Sequence, residues 1–116
     1  MKNHPKRGGI WLVNWNPARG SEQAGIRPVL IIQNDIGNIN AATTIVAAIS
    51  SSVKVYPMNV VIEPKESGLK ETSIVNTSQI LTVSKLRLEK RLGILNQEKM
   101  EEVDKALKLS LGLDDF

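Results

Sequence analysis

GSEQAGIRPVLIIQNDIGN, residues Gly20 to Asn38, runs from a polar, glycine-rich loop through an arginine and a proline into a β-branched stretch and out through asparagine and glycine. Pro28 to Gln33, PVLIIQ, reads as a buried strand with proline at its first position, where a missing N–H costs least; Asn34 to Asn40 punctuates its end. Working outward, Gly9 to Trp15, GIWLVNW, alternates as a strand does, with Ile10, Leu12 and Asn14 facing one way and Trp11, Val13 and Trp15 the other. The loop between them, Asn16 to Gly25, is longer than most connections, and such loops often carry function. Thr43 to Ile49, TTIVAAI, is a second central strand, and a polar segment follows it to Pro57. Asn59 to Glu63 reads as a strand and Pro64 to Glu71 as a loop. Ser73 to Val75 and Gln79 to Val83 read as two short strands joined by a polar link that holds a bulge.

From Ser84 the pattern reads as helical. Leu86 and Leu88 suit a single turn, and Asn96 is a fitting N-cap for a helix ending near Leu111, with Leu95 and Met100 as a hydrophobic staple. Met100, Val103, Leu107 and Leu111 recur at helical spacing, and Gly112 suits the C-cap. The expected fold is mainly β with a C-terminal α-helix: a strongly bent sheet or small barrel under a helical cover. One domain spans residues 1–116, with a flexible leader at 1–7, a β-barrel at 8–83 and a helical part at 84–116.

Composition narrows the function classes. The chain of 116 residues is too short for a cleft between two lobes, and no apolar run reaches the roughly 18 to 20 residues of a membrane span. The basic start MKNHPKRGG leads into no signal-peptide core, so a cytoplasmic location without membrane association is expected. With no cysteine and only His4 for histidine, neither a thiolate site nor a His-pair metal site is available, and no cofactor is expected. Residues 1–83 hold eight Lys/Arg against five Asp/Glu, whereas 84–116 hold seven of each, so the basic excess lies in the first part. That asymmetry suits a polyanionic partner, although it equally describes a mildly basic surface.

Arg27 stands at the start of an interior strand, beside the polar loop. Its guanidinium offers five donors in a planar fork that matches phosphate; the plainer reading pairs it with Glu22 or another carboxylate at the rim. Ser50 closes the TTIVAAI strand and would lie across from the start of PVLIIQ if the two strands pair parallel, or diagonally otherwise. Its plainer role is that of a turn residue. Trp11 and Trp15 suit a core or a subunit interface, and no aromatic platform for stacking bases is visible.

RGGIWLVNWNP, GSEQAGIRPVLIIQND.GN, TIVAAIS and LK.TSIVN..QI..V.K.RL occur in this order, and together they resemble the MazF/PemK family of bacterial toxin endoribonucleases from Arg7 to the terminal helix. The resemblance implies an SH3-like barrel of the CcdB/MazF/PemK type, a homodimer, and metal-independent cleavage of single-stranded RNA at short sequences. It implies a toxin of a type II toxin–antitoxin system, restrained by a MazE-like antitoxin whose acidic, disordered C-terminal segment blocks the RNA site. The family's catalytic arginine and threonine fall on Arg27 and Ser50; serine keeps the hydroxyl but lacks the methyl that stiffens χ1. Glu22 is the secondary candidate, as a proton acceptor, and Ser21, Gln23 and Gln79 occupy positions that contact RNA. Relatives with this motif string tend toward a UACAU-type site, and the segment from Ser50 to Pro57 is shorter than in typical members. Two rival readings share the barrel: a CcdB-like gyrase poison, and a noncatalytic RNA- or protein-binding module.

Overall fold

The computed structural model describes residues 4–15, 25–52, 54 and 56–115. The six strands are β1 (Gly9–Asn14), β2 (Ile26–Ile31), β3 (Thr43–Ser50), β4 (Asn59–Ile62), β5 (Ser73–Ser84) and β6 (Leu88–Ile94). Helices α1 (Asp35–Asn40) and α2 (Pro64–Ser67) interrupt them, and α3 (Gln97–Ser110) follows. The strands form one antiparallel sheet in the order β4-β5-β3-β2-β1-β6, curled into a half-barrel. No helix among the described residues is long and apolar enough to cross a membrane.

Strand alternation gives the sheet two apolar faces. Ile10, Leu30, Ala47, Ile62 and Val75 point toward α3, whose Val103, Ala106 and Leu107 close that core. The intervening residues Trp11, Val13, Val29, Ile31, Val46 and Val83 form a second cluster on the opposite face. Each buried Val, Leu or Ile contributes roughly 1.5–3 kcal/mol, so the register that sorts these residues is strongly enforced.

Several sequence expectations are corrected. Arg7, placed in a flexible leader, is tied down: its backbone N–H donates to Asp35 Oδ1 at 2.8 Å, its Nε to the Ile32 carbonyl at 2.9 Å, and its guanidinium meets Asp104 at 2.6 Å. Asn34 to Asn40 is a capped helix rather than a bare turn, with Asn34 Oδ1 accepting from Gly37 N at 2.8 Å. Its Asn38 is fully buried and uses its whole amide capacity: Nδ2 donates to the Gln33 carbonyl and Asp35 Oδ1, and Oδ1 accepts from Gln33 Nε2 and Thr44 Oγ1. The loop at Pro64 to Glu71 opens with α2, closed at both ends of its capping box by Glu63 and Glu66. The two short strands at 73–83 are one strand, β5, with the expected bulge in the link between them. Residues 84–116 are not wholly helical: a 3-10 turn at Lys85–Arg87 leads into β6, whose register against β1 breaks twice, which erases the period-two signal. The helix begins on Asn96, whose Oδ1 accepts from Lys99 N at 2.9 Å, but Leu111 stands outside the buried stripe at 59% exposure.

The curl is completed without a ladder between the edge strands. Helix α2, which follows β4, presses on β6 through two glycines. A Cβ on Gly93 would lie 2.6 Å from the Ser67 carbonyl oxygen, and one on Gly68, which also holds φ at +79°, would collide with the Leu92 carbonyl. Urea unfolding of Gly93→Ala is expected to show a loss of roughly 1–3 kcal/mol, because main chain must move to admit the methyl. An unchanged midpoint would mean that α2 and β6 are not in contact in solution.

Candidate functional site

Strands β2 and β3 pair Val29 with Ala48, Leu30 with Ala47 and Ile31 with Val46. The strands pair antiparallel, the case for which the sequence reading expected a diagonal placement; carried two residues past the last of these pairs, the register instead sets Ser50 across from Arg27. Arg27 alternates with Val29 and Ile31, which places it on the face away from α3. On that face lies a groove of about 1240 Å³, lined among others by Arg27, Ser50, Lys54, Lys70, Gln79 and Arg87. Glu71 is the one carboxylate among its described lining residues, so four cations face a single acid. This volume exceeds the roughly 300–1,000 Å³ of small-molecule pockets and suits an extended polyanion.

Arg27 is exposed and makes no ion pair or hydrogen bond among the described residues, so the rim ion pair that would explain it away is not found there. Among the described residues, nothing competes with an incoming anion for its fork. Ser50 Oγ accepts from the backbone N–H of Ser52 at 3.0 Å, which holds the oxygen and leaves the O–H to donate. A hydroxyl locked in this way has less need of the methyl that threonine would supply. Arg87 Nη1 donates to the Asn14 carbonyl at 3.0 Å, anchoring a second guanidinium at the end of β1 beside the same rim. Trp15 N donates to the Gly25 carbonyl at 2.8 Å and pins both ends of the β1–β2 loop at the groove. Ser21, Glu22 and Gln23 lie within that loop, outside the described residues.

Gln79 is exposed on the groove wall, within a stretch of β5 where Thr77, Ser78 and Gln79 are inserted between the partners of Ala48 and Ala47. Lys54, Lys70, Tyr56, Asn76 and Arg87 also reach the groove; Lys70, Asn76 and Arg87 stand in the motif string, yet none of the five was assigned a role, because they come from separate segments that only the curl brings together. Tyr56, 54% exposed, places an aromatic ring in a groove where none was expected. Trp11 is core, whereas Trp15 packs on that core and lines the groove. No group of three or more His, Cys, Asp or Glu among the described residues is arranged to hold a metal ion.

The sequence pattern of the family described as "PemK-like, MazF-like toxin of type II toxin-antitoxin system" matches residues 6–111. A protein of Staphylococcus epidermidis named endoribonuclease MazF is 46% identical over 113 residues, spanning 96% of this chain and 94% of that protein. Among solved structures, a mycobacterial endoribonuclease in complex with its cognate antitoxin superposes with a TM-score of 0.82 at 26% identity, covering 97% of this chain and 99% of that one. MazF from Deinococcus radiodurans shares the fold with a TM-score of 0.77 at 23% identity, covering 96% and 99%.

Binding of a single-stranded oligodeoxynucleotide, followed by fluorescence anisotropy across a salt series, checks the charge assignment. Arg27→Ala and Arg87→Ala are each expected to flatten the log K against log salt slope by about 0.7, the share of one phosphate contact on a single strand. Lys105→Ala, on the exposed side of α3, is expected to leave the slope unchanged. Equal effects from all three would place the polyanion elsewhere.

Proposed function

The chain belongs to the PemK-like, MazF-like toxin family of type II toxin–antitoxin systems, and from that premise we propose that it is an endoribonuclease cutting single-stranded RNA in the Arg27 groove. The observation that carries the reading is that Arg27, with no ion pair among the described residues, and Ser50 line one cation-rich channel. RNA brings its own nucleophile, so the protein need only align the ribose 2′-OH, move a proton and stabilise charge on phosphorus. The O2′–P bond forms and the P–O5′ bond breaks, O5′ taking a proton from solvent as it leaves, which gives a 2′,3′-cyclic phosphate and a 5′-OH end. Arg27 pairs with the non-bridging oxygens as negative charge builds on them, and Ser50 donates its O–H to one of the same oxygens. A guanidinium stays protonated in a protein, so the 2′-OH proton goes to another group. Glu22, in the loop whose ends are pinned at this rim, is the carboxylate suited to accept it. Ser21, Gln23 and Gln79 contact the bases. No step calls for a metal ion or a cofactor.

The same groove suits restraint by an antitoxin. An acidic, disordered segment that folds along the four cations would compete directly with RNA, and the mycobacterial relative in complex with its cognate antitoxin supports such a partner. The working form is a cytoplasmic homodimer.

Cleavage of a long RNA in EDTA, with the ends mapped, tests the proposal. Wild type and Ser50→Thr are expected to cut and leave 5′-OH ends. Arg27→Ala and Ser50→Ala are expected to lose about 10²-fold or more, the scale of removing one donor from a developing oxyanion. RNA bound but never cut by wild type would favour a noncatalytic module, and gyrase inhibition without RNA cleavage would favour the CcdB-like reading.

A further inference from the structure

The inserted residues of β5 do more than carry Gln79 into the groove. Thr77 is fully buried, and its N–H and Oγ1 both donate to the Met58 carbonyl, at 3.0 and 2.7 Å. From the far side, Ser110 Oγ on α3 donates to the Thr77 carbonyl at 2.7 Å. The insertion is thereby clamped between the β4 side of the sheet and the covering helix. Directly before it stands Asn76, half-buried in the groove wall and paired with Ala48, on the same face as Ser50 and two residues from Ser50's partner Ile74. Asn76 Oδ1 accepts from the Ser78 N–H at 2.9 Å. Only an oxygen can take that bond, so the amide's orientation is fixed by its own backbone. Its Nδ2 has no hydrogen-bond partner among the described residues.

We propose that Asn76 is a specificity-determining residue that reads one base of the bound strand with the Nδ2 edge of its amide, whose orientation is set by the bond from Ser78 N–H to Oδ1. The two N–H groups of Nδ2 fit an exocyclic keto oxygen, O4 of uracil or O6 of guanine. The amino group of adenine or cytosine would point its own hydrogens at them, and the bond from Ser78 N–H keeps the amide from flipping to present Oδ1 instead. Bases of a single strand expose these edges, and Asn76 lies one row of the sheet beyond Ser50, within reach of a nucleotide near the cut. The clamp by Met58 and Ser110 holds Ser78 where it fixes the amide, so the reading polarity is built into the fold. The inference rests on the RNA-cleavage reading of the groove and adds to it a base class and a residue.

Asn76→Asp tests it, because a carboxylate keeps the acceptor for Ser78 N–H and replaces both donors with an acceptor. Cleavage-site profiling on a randomised RNA pool is expected to show wild type favouring keto bases at one position near the cut. In Asn76→Asp that preference is expected to shift toward amino bases at the same position by about tenfold, other positions keeping their pattern. A merely structural Asn76, or the added negative charge, would change rates at all sites alike and leave relative preferences in place; that outcome overturns the inference. The second measurement keeps the protein wild type and removes the keto oxygen from the RNA at that position, using pyrimidin-2-one for uracil or 2-aminopurine for guanine. Slower cleavage by a similar factor supports the contact, and equal rates overturn it. Wild type that binds RNA without cutting it overturns the RNA-cleavage reading itself, an outcome distinct from cutting with an unchanged base profile.

Discussion

The pairing of β2 with β3 fixes almost everything that matters in this molecule. Val29 opposite Ala48 and Leu30 opposite Ala47 put alternate side chains into two different apolar clusters, and the same register leaves Arg27 and Ser50 facing each other past the last paired residues. A slip by one residue would send Val29 and Ile31 toward α3 and Leu30 toward the groove, with Arg27 turned into the core. Several buried side chains at roughly 1.5–3 kcal/mol each oppose that slip, so the energetics of the core also hold the site. Asn38 adds to the restraint: three bonds hold its amide to Gln33 and Asp35 just after β2, and the fourth, from Thr44 Oγ1 at the start of β3, would be broken by a shift.

Division of labour between the two faces follows from that register. One face is spent on stability: α3 covers it, and α2 closes the curl against β6 at two glycines that leave no room for a side chain. The other face keeps a smaller apolar floor and is ringed by residues from strand ends and loops, which is where cations and hydroxyls can stay solvated yet converge. The clamp on Thr77 links the faces, since Ser110 belongs to the covering helix and Gln79 to the groove.

How much of this was legible in the sequence depends on how local each signal is. Strand β1 announces itself by alternation, β2 to β4 by short apolar runs bounded by turn residues, and Asn96 marks the start of α3 through a capping preference that needs no tertiary context. Strand β6 was hidden because two register breaks against β1 remove its alternation and mix half-buried leucines with charged neighbours. The short helices α1 and α2 carry too few residues for a period and are held by side-chain bonds such as Asn34 to Gly37. Arg27 and Ser50 were marked by the motif string, but the mode of their meeting was not, because strand direction is a property of the sheet. Lys54 and Tyr56 have no local mark, and Lys70 and Arg87, although part of the motif string, show no role until the curl assembles them; the bulge after Asn76 was expected from the polar link, but the orientation it gives Asn76 was not.

The central claim, that the groove end formed by Arg27 and Ser50 holds the reacting phosphate, is tested most directly by a crystal structure of the protein with an RNA blocked by a 2′-O-methyl group at the cut. The account predicts the phosphate next to that methylated ribose within hydrogen-bond distance of both the Arg27 guanidinium and the Ser50 hydroxyl, with the strand running along the cations of the groove. An RNA seated on α3, or one whose blocked phosphate lies away from both side chains, would contradict it.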